Sequence, residues 1–359
     1  MPPGEMLAML SWQDAEWLQP AWQQLVQARS RRMHALAIEA PPGLGVDELV
    51  QAYIAWLMCE SQGPAGAAQQ ACGHCASCLW LASGQHPDLR LLRPDALNAA
   101  QEVGDEDNES KKTERKLSSE IRIEQVRSLE SFMQIGAHRG GLRIVWVEPA
   151  HTMNRAAANA LLKMLEEPGE GALWLLQTRQ FSALLPTIRS RCIGIRVRPP
   201  SELQAKSFLL RLLEASNHGA DEQSLSLALG LSSQAPWAAH HMLIQPELAE
   251  QGLWFRTLAK LPQAWFSDLA ARWADHSPEL WFAVLERWAY DLLQAFHGLE
   301  PMFFKNLAAE ARSMTQGKHA EDCLRLIEHL AKMKASLRHP LNPRLHAESA
   351  LIAYARFVN

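Results

Sequence analysis

The sequence predicts an α/β domain built on a mostly parallel sheet, followed by an all-helical region. Three observations carry this. Short apolar runs alternate with helix-patterned segments as far as Val197, which is the pattern of strands joined by crossover helices. Pro199-Pro200 then breaks the chain, and from Glu202 to Phe357 nearly every stretch reads as helix. Four of the six cysteines crowd between Cys59 and Cys78, which points to an inserted module held by a metal ion.

Taken in order, Trp12–Arg29 reads as helix and His34–Glu39 as a short strand with Leu36 and Ile38 apolar. Pro41–Gly45 is a turn, and Asp47 is expected to cap a helix over Glu48–Cys59. Leu89, Leu91 and Leu92 mark a second strand. Leu142–Val147 is apolar except at Arg143, as expected of a strand covered on both faces. Asn154–Glu167 is rich in Ala and Leu, with Leu161, Leu162 and Leu165 on one helical face, and Pro168 stops it. Leu173–Gln177 is a further buried strand. In the last strand Ile193, Ile195 and Val197 alternate with Arg196 and Arg198, so one face is open. Residues 98–119 are polar, with acidic residues ahead of Lys111, Lys112, Arg115 and Lys116, and read as a flexible surface insertion. Breaks are expected in the helical region near Pro236, Pro246, Pro262 and Pro278.

Composition bounds the function. At 359 residues the chain has room for two to three domains of about 150 residues each. There are 35 lysines and arginines against 39 acidic residues, a net charge of −4, so wrapping of duplex nucleic acid is not suggested. Hydrophobic residues at 48% and charged residues at 21% exclude collagen, a long coiled coil and wholesale disorder. No apolar run reaches the roughly 18–20 residues of a membrane span, and the start does not read as a signal peptide, so a cytoplasmic location is expected. The 13 tryptophans are a large packing resource; Trp254, Trp265, Trp273, Trp281 and Trp288 are candidates for the helical core.

The cysteine cluster is the most specific local signal. Twelve residues separate Cys59 from Cys72, and two separate each of the pairs Cys72–Cys75 and Cys75–Cys78. A C-x2-C knuckle points two thiolates at one ion, and the end of the preceding helix returns another. Tetrahedral zinc on four thiolates fits this count, and with no open coordination position it would be structural. A c-type haem would need His where Ala76 stands, and a bacterial ferredoxin run would need a cysteine near Ala82. An isolated iron–sulfur cluster, four free cysteines, or a site in which His74 or His86 replaces one thiolate are the alternatives.

Two further segments occupy the positions of nucleotide-hydrolysing motifs but lack their chemistry. The slot Ala40-Pro41-Pro42-Gly43-Leu44-Gly45-Val46-Asp47 follows a strand and precedes a helix, as a phosphate-binding loop does. Gly43 and Gly45 are kept, but Ala40 replaces the first glycine, Val46 the lysine and Asp47 the hydroxyl residue that binds magnesium. Valine supplies no charge to the β- and γ-phosphates, and Asp47 adds a negative one. The strand Ile144-Val145-Trp146-Val147 ends in Glu148-Pro149, where a Walker B strand would offer two acids; Pro149 has none. Taken singly, each segment is adequately read as an ordinary strand end and turn.

Combined in order with Asn159-Ala160-Leu161-Leu162-Lys163-Met164-Leu165-Glu166-Glu167-Pro168 and with Ser190-Arg191-Cys192, these segments are specific. The chain resembles the delta-prime subunits of bacterial DNA polymerase III clamp loaders, AAA+ proteins without a working ATP site. The resemblance runs from about Trp12 to Val197 and more weakly beyond, to Asn342-Pro343-Arg344-Leu345. Where ATP-hydrolysing relatives carry a lid arginine, this chain reads Ser233-Gln234-Ala235-Pro236. The resemblance implies an AAA+ parallel-sheet domain over 1–198 with the zinc module over 59–78, a small helical lid over 199–240, and a helical collar over 241–359. It implies that Ser190-Arg191-Cys192 is an arginine-finger motif, with Arg191 acting in trans at a neighbour's ATP site. The implied partners are gamma/tau and delta subunits in a hetero-oligomeric ring, with the sliding clamp and primer-template DNA reached through the complex. No intrinsic activity and no bound ATP are implied. Arg139, Arg143 and Arg155 are possible DNA contacts, although a solvated face is the expected role of each. Two other readings are an active AAA+ ATPase with a divergent loop, which Val46 argues against, and a free-standing zinc-binding nucleic-acid protein, which the acidic balance argues against.

Overall fold

The computed structural model describes residues 12–61, 70–102, 118–134, 137–138, 141–245, 254, 258, 266–334, 337 and 342–358. The chain divides into two compact units, 1–200 and 201–359.

The first unit is a five-stranded sheet: β1 (Ala35–Glu39), β2 (Leu89–Leu92), β3 (Arg143–Val147), β4 (Ala172–Thr178) and β5 (Ile193–Arg196). Their order is β2-β3-β4-β1-β5 and every pairing is parallel. The continuous apolar runs lie in the middle: all of β3, and all of β1 and β4 except Glu39 and Gln177, are buried. Exposure is confined to the edges, where β2 and β5 each keep residues in solvent. Register sets Leu36 between Leu175 of β4 and Ile193 of β5, so apolar side chains stack across the sheet.

The helices of this unit are α1 (Gln19–Ser30), α2 (Val46–Met58), α3 (Ala76–Ala82), α4 (Asp95–Glu102), α5 (Ile123–Gln134), α6 (Arg155–Glu166) and α7 (Pro186–Arg189). Asn154 caps α6 by accepting the Ala157 N–H at 2.9 Å, and Leu161 and Leu165 turn into the core. Three expectations are corrected. The helix predicted from Trp12 begins as two 3-10 turns and becomes α-helical only at Gln19, with Pro20 in the first turn. The cap of α2 is Gly45 rather than Asp47: Gly45 takes φ 83°, a left-handed conformation that turns the chain two residues earlier. Arg143 is buried instead of solvated; it donates to the Phe132 carbonyl, lies 3.6 Å from Asp88, and stacks 4.6 Å from the Phe132 ring centre. Of the expected insertion 98–119, residues 98–102 belong to α4, and 103–117 lie outside the described residues. Arg139 also lies outside them, and Arg155 is exposed.

The second unit is helical among its described residues: Glu202–Ala215, Glu222–Leu231, Pro236–Ile244, Phe266–Ala274, Pro278–Phe296, Ala308–Thr315, Ala320–Lys334 and Pro343–Val358. Pro236 and Pro278 start helices, where the missing N–H has no partner to lose; Pro246 and Pro262 lie outside the described residues. Trp254, Trp273, Trp281 and Trp288 are all in its core, and Trp265 lies outside the described residues. Trp273 and Trp281 stack with ring centres 5.1 Å apart. The Trp288 indole donates to the Tyr354 hydroxyl at 2.9 Å, and that hydroxyl donates to the Leu258 carbonyl at 2.8 Å. Asp291, fully buried, accepts the backbone N–H groups of Met302, Phe303 and Phe304 at 2.7 to 3.2 Å and fixes the turn they form. No helix of the described residues is long and apolar enough to cross a membrane.

Candidate functional site

The carboxyl ends of parallel strands are where open α/β sheets bind ligands. The loop 40–45 leaves β1 at that edge, Glu148 follows β3 there, and Gln177 stands near the end of β4. Gly43 and Gly45 both take positive φ, at 78° and 83°, so the loop keeps the backbone form that glycine permits. The Trp17 indole donates to the Leu44 carbonyl at 3.0 Å and pins the loop from outside.

What fills this edge is acid. Gln177 Nε2 donates to Asp47 Oδ1 at 2.5 Å, and its Oε1 accepts the Trp146 indole N–H at 3.1 Å. Arg93 is paired with Glu148, its Nε at 2.9 Å from Oε2. Glu48 is pushed up to about 7, by burial above all, and then by the charges of Asp47 and Glu148 against one backbone hydrogen bond. Burial and Asp47 also raise Glu148, and together they outweigh Arg93. Val46, where a phosphate loop has its lysine, is buried. Asp47 is engaged by Gln177 and Glu148 by Arg93, and Val46 brings no cation to the place of a triphosphate.

The four cysteines do come together. Cys59 ends α2, and Cys72, Cys75 and Cys78 bracket the start of α3, where Cys75 Sγ accepts the Cys78 N–H. All four sulfurs lie within 4.8 Å of one another, and Cys72 Sγ is 3.9 Å from Cys78 Sγ. Zn–S bonds of about 2.3 Å at tetrahedral angles put sulfurs ~3.8 Å apart, so the residues fit one zinc ion. Backbone N–H groups point at the sulfurs in series: Cys72 to Cys59 and Cys75 to Cys72, both at 3.3 Å. Hydrogen bonds led by Ser61 draw Cys72 down to about 5, while burial pushes Cys78 up to about 12. A bound cation would make all four thiolate. Neither histidine joins the cluster: His74 contacts the Cys72 carbonyl, and buried His86 pairs with Ser77 Oγ at 2.8 Å while accepting the Asp88 N–H.

Ser190-Arg191-Cys192 links α7 to β5, at the amino end of the sheet. Cys192 is pushed up to about 12 by burial and is an inert thiol. Arg191 donates from Nη1 to the Thr187 carbonyl at 3.0 Å, and its Nη2 lies 2.6 Å from Glu166 Oε1. Five residues of strand, about 16 Å, separate the two edges of the sheet. Arg191 thus stands at the opposite end of the strands from Gly43–Asp47 and Glu148.

Sequence reasoning did not find Glu48, Gln177, Arg93 or the Arg191–Glu166 pair. Arg93 and Glu148 are 55 residues apart, and Gln177 is 130 from Asp47. Only Glu166 carried a signal, as part of the Leu165-Glu166-Glu167-Pro168 segment.

The fold and this edge define a class: a parallel α/β protein with the loop geometry of a nucleotide-binding fold and without its phosphate-binding charges. Residues 18–201 match the family described as DNA polymerase III, delta subunit. The relatives are each named DNA polymerase III subunit delta'. That of Escherichia coli is 33% identical over 288 residues, covering 79% of this chain and 77% of the relative. That of Pseudomonas aeruginosa is 37% identical over 214 residues, 60% of this chain and 58% of the relative. That of Yersinia pestis is 36% identical over 64% of this chain and 61% of the relative. The matches thus span less than two thirds of the Pseudomonas and Yersinia proteins' own lengths. The chain is also similar to a DNA polymerase III gamma subunit-related protein from Thermotoga maritima, with a TM-score of 0.46 at 17% identity over 96% of this chain and 100% of that one. The chain belongs to the DNA polymerase III delta-prime family.

Proposed function

We propose that this chain is a non-hydrolysing subunit of the DNA polymerase III clamp loader. It acts as a stator in a ring with gamma/tau and delta subunits and helps load the sliding clamp onto primed DNA. Its own contribution to ATP turnover is Arg191, lent to the nucleotide site of the adjacent subunit. A guanidinium beside a transferring γ-phosphoryl group stabilises the charge that grows in the transition state.

The observation that carries this reading is the placement of Arg191. It lies at the amino end of the sheet, while the loop 40–45 lies at the carboxyl end. Across a strand length of about 16 Å it does not reach its own chain's loop, so a phosphate it serves belongs to another subunit. The loop supports the second half of the reading. Val46 offers no charge to the β- and γ-phosphates, and Asp47 stands where a phosphate loop carries its hydroxyl residue. Cys59, Cys72, Cys75 and Cys78 would hold a structural zinc that ties the end of α2 to the start of α3. We read 199–240 as the lid and 241–359 as the collar that holds the ring.

The test is assembly and turnover together. Mixed with gamma/tau and delta subunits, the chain forms a defined complex that hydrolyses ATP, while alone it neither binds nor hydrolyses ATP. Turnover by the lone chain that is lost on changing Asp47 or Glu148 would favour the reading as a divergent ATPase. Failure to join the other subunits would remove the proposal.

A further inference from the structure

Arg191 does not hang free. Its guanidinium is held from two elements at once: Nη1 by the Thr187 carbonyl of α7 at 3.0 Å and by Ser190 Oγ at 3.4 Å, and Nη2 by Glu166 at the end of α6. The end of α6 is itself fixed. Leu165 is buried, and its carbonyl lies 3.1 Å from His34 Nε2, just ahead of β1. The carboxylate therefore stands on a rigid support, and the guanidinium plane is set by contacts on both of its terminal nitrogens. Nε makes no hydrogen bond among the described residues, and the side chain is 35% exposed. The arginine is thus oriented while part of its donor fork still faces outward. Glu166 is half exposed, at 50%, so solvent screens the pair, and it steers the side chain without locking it away from an incoming phosphate.

We propose that Glu166 is a positioning residue for Arg191, holding the guanidinium oriented for the phosphoryl oxygens of a nucleotide bound by the neighbouring subunit. This rests on the reading of Arg191 as a trans-acting finger. The physical ground is that a flexible cation contributes to a transition state only when it is already placed, and misplacement by an ångström can cost up to ~100-fold.

The test uses the complex reconstituted with wild-type ATPase subunits, and three variants of this chain: Glu166→Ala, Arg191→Ala and the double variant. Glu166→Ala is expected to lower kcat for ATP about five-fold, with KM for ATP and complex assembly unchanged. Glu166→Gln, which keeps an acceptor oxygen at the same place, recovers part of the loss. In the Arg191→Ala background, Glu166→Ala has no further effect. Full turnover by Glu166→Ala beside an impaired Arg191→Ala complex overturns the positioning role and leaves the finger standing. An effect of Glu166→Ala that persists without Arg191 makes Glu166 a structural residue and also overturns it. Full turnover by Arg191→Ala overturns the finger itself. If Glu166→Ala does not fold, Glu166→Gln carries the same cycle.

Discussion

Glu48→Gln reads the electrostatic field of the degenerate loop directly. The substitution keeps shape and removes the charge. In the fold the Glu48 carboxyl is raised from 4.5 to about 7, first by burial and then by Asp47 and Glu148. The sign follows from proton binding. Between pH 4.5 and 7 the folded protein holds a proton that the unfolded chain has released, so stability falls as pH rises through this window. A rise of about 2.5 units at ~1.4 kcal/mol each gives a ceiling of about 3 kcal/mol. Glutamine is neutral throughout and escapes the loss. The variant should match the parent near pH 4.5 and exceed it by up to about 3 kcal/mol at pH 8. For a unit of this size that is a gain of roughly 6–12 °C in the midpoint. Paired urea and thermal unfolding of the isolated protein from pH 4.5 to 8 measures it, and the difference between variant and parent cancels groups that titrate alike in both. A difference that stays flat with pH, or a variant less stable than the parent at pH 8, would refute the claim that this carboxyl is buried among like charges.

Two other outcomes follow from the structure. The purified protein should hold about one zinc per chain, and Cys78→Ser should lose it along with part of the thermal stability of the first unit; metal analysis by mass spectrometry finding iron, or no metal in a sample never exposed to chelator, rejects the site. Asp291→Ala removes the acceptor of three backbone N–H groups, those of Met302, Phe303 and Phe304, of which only that of Phe304 is buried, and should cost about 1–3 kcal/mol in denaturant unfolding of the second unit. A cost below ~1 kcal/mol would mean that water replaces the carboxylate.

How much of this was legible in the chain depends on the range of the interaction. Leu142–Val147 and Leu173–Gln177 announce buried parallel strands because both faces of a central strand are covered, so nearly every residue must be apolar. The cysteine spacing is equally local, and the sulfurs meet as the spacing requires. Asp47 reads as a cap because the signal that decides the helix start is a backbone angle at Gly45, not a side chain. Arg143 passes for a surface residue until Asp88 and the Phe132 carbonyl are brought to it. The pair Arg191–Glu166 is hidden for the same reason: one residue ends a helix and the other precedes a strand, and only the fold sets them 2.6 Å apart. Trp254, Trp273, Trp281 and Trp288 are buried, as expected of such large apolar side chains, but Trp288 needs Tyr354 from another helix to satisfy its indole.

The central claim is that this chain supplies a cation to a neighbour's chemistry and none to its own. Arg191→Ala, introduced into the reconstituted complex, tests it most directly by single-turnover ATP hydrolysis at the adjacent site. Assembly should be intact and the chemical step slowed by ~1,000-fold or more, the range of arginine fingers. A variant complex that hydrolyses ATP at the parent rate would contradict it.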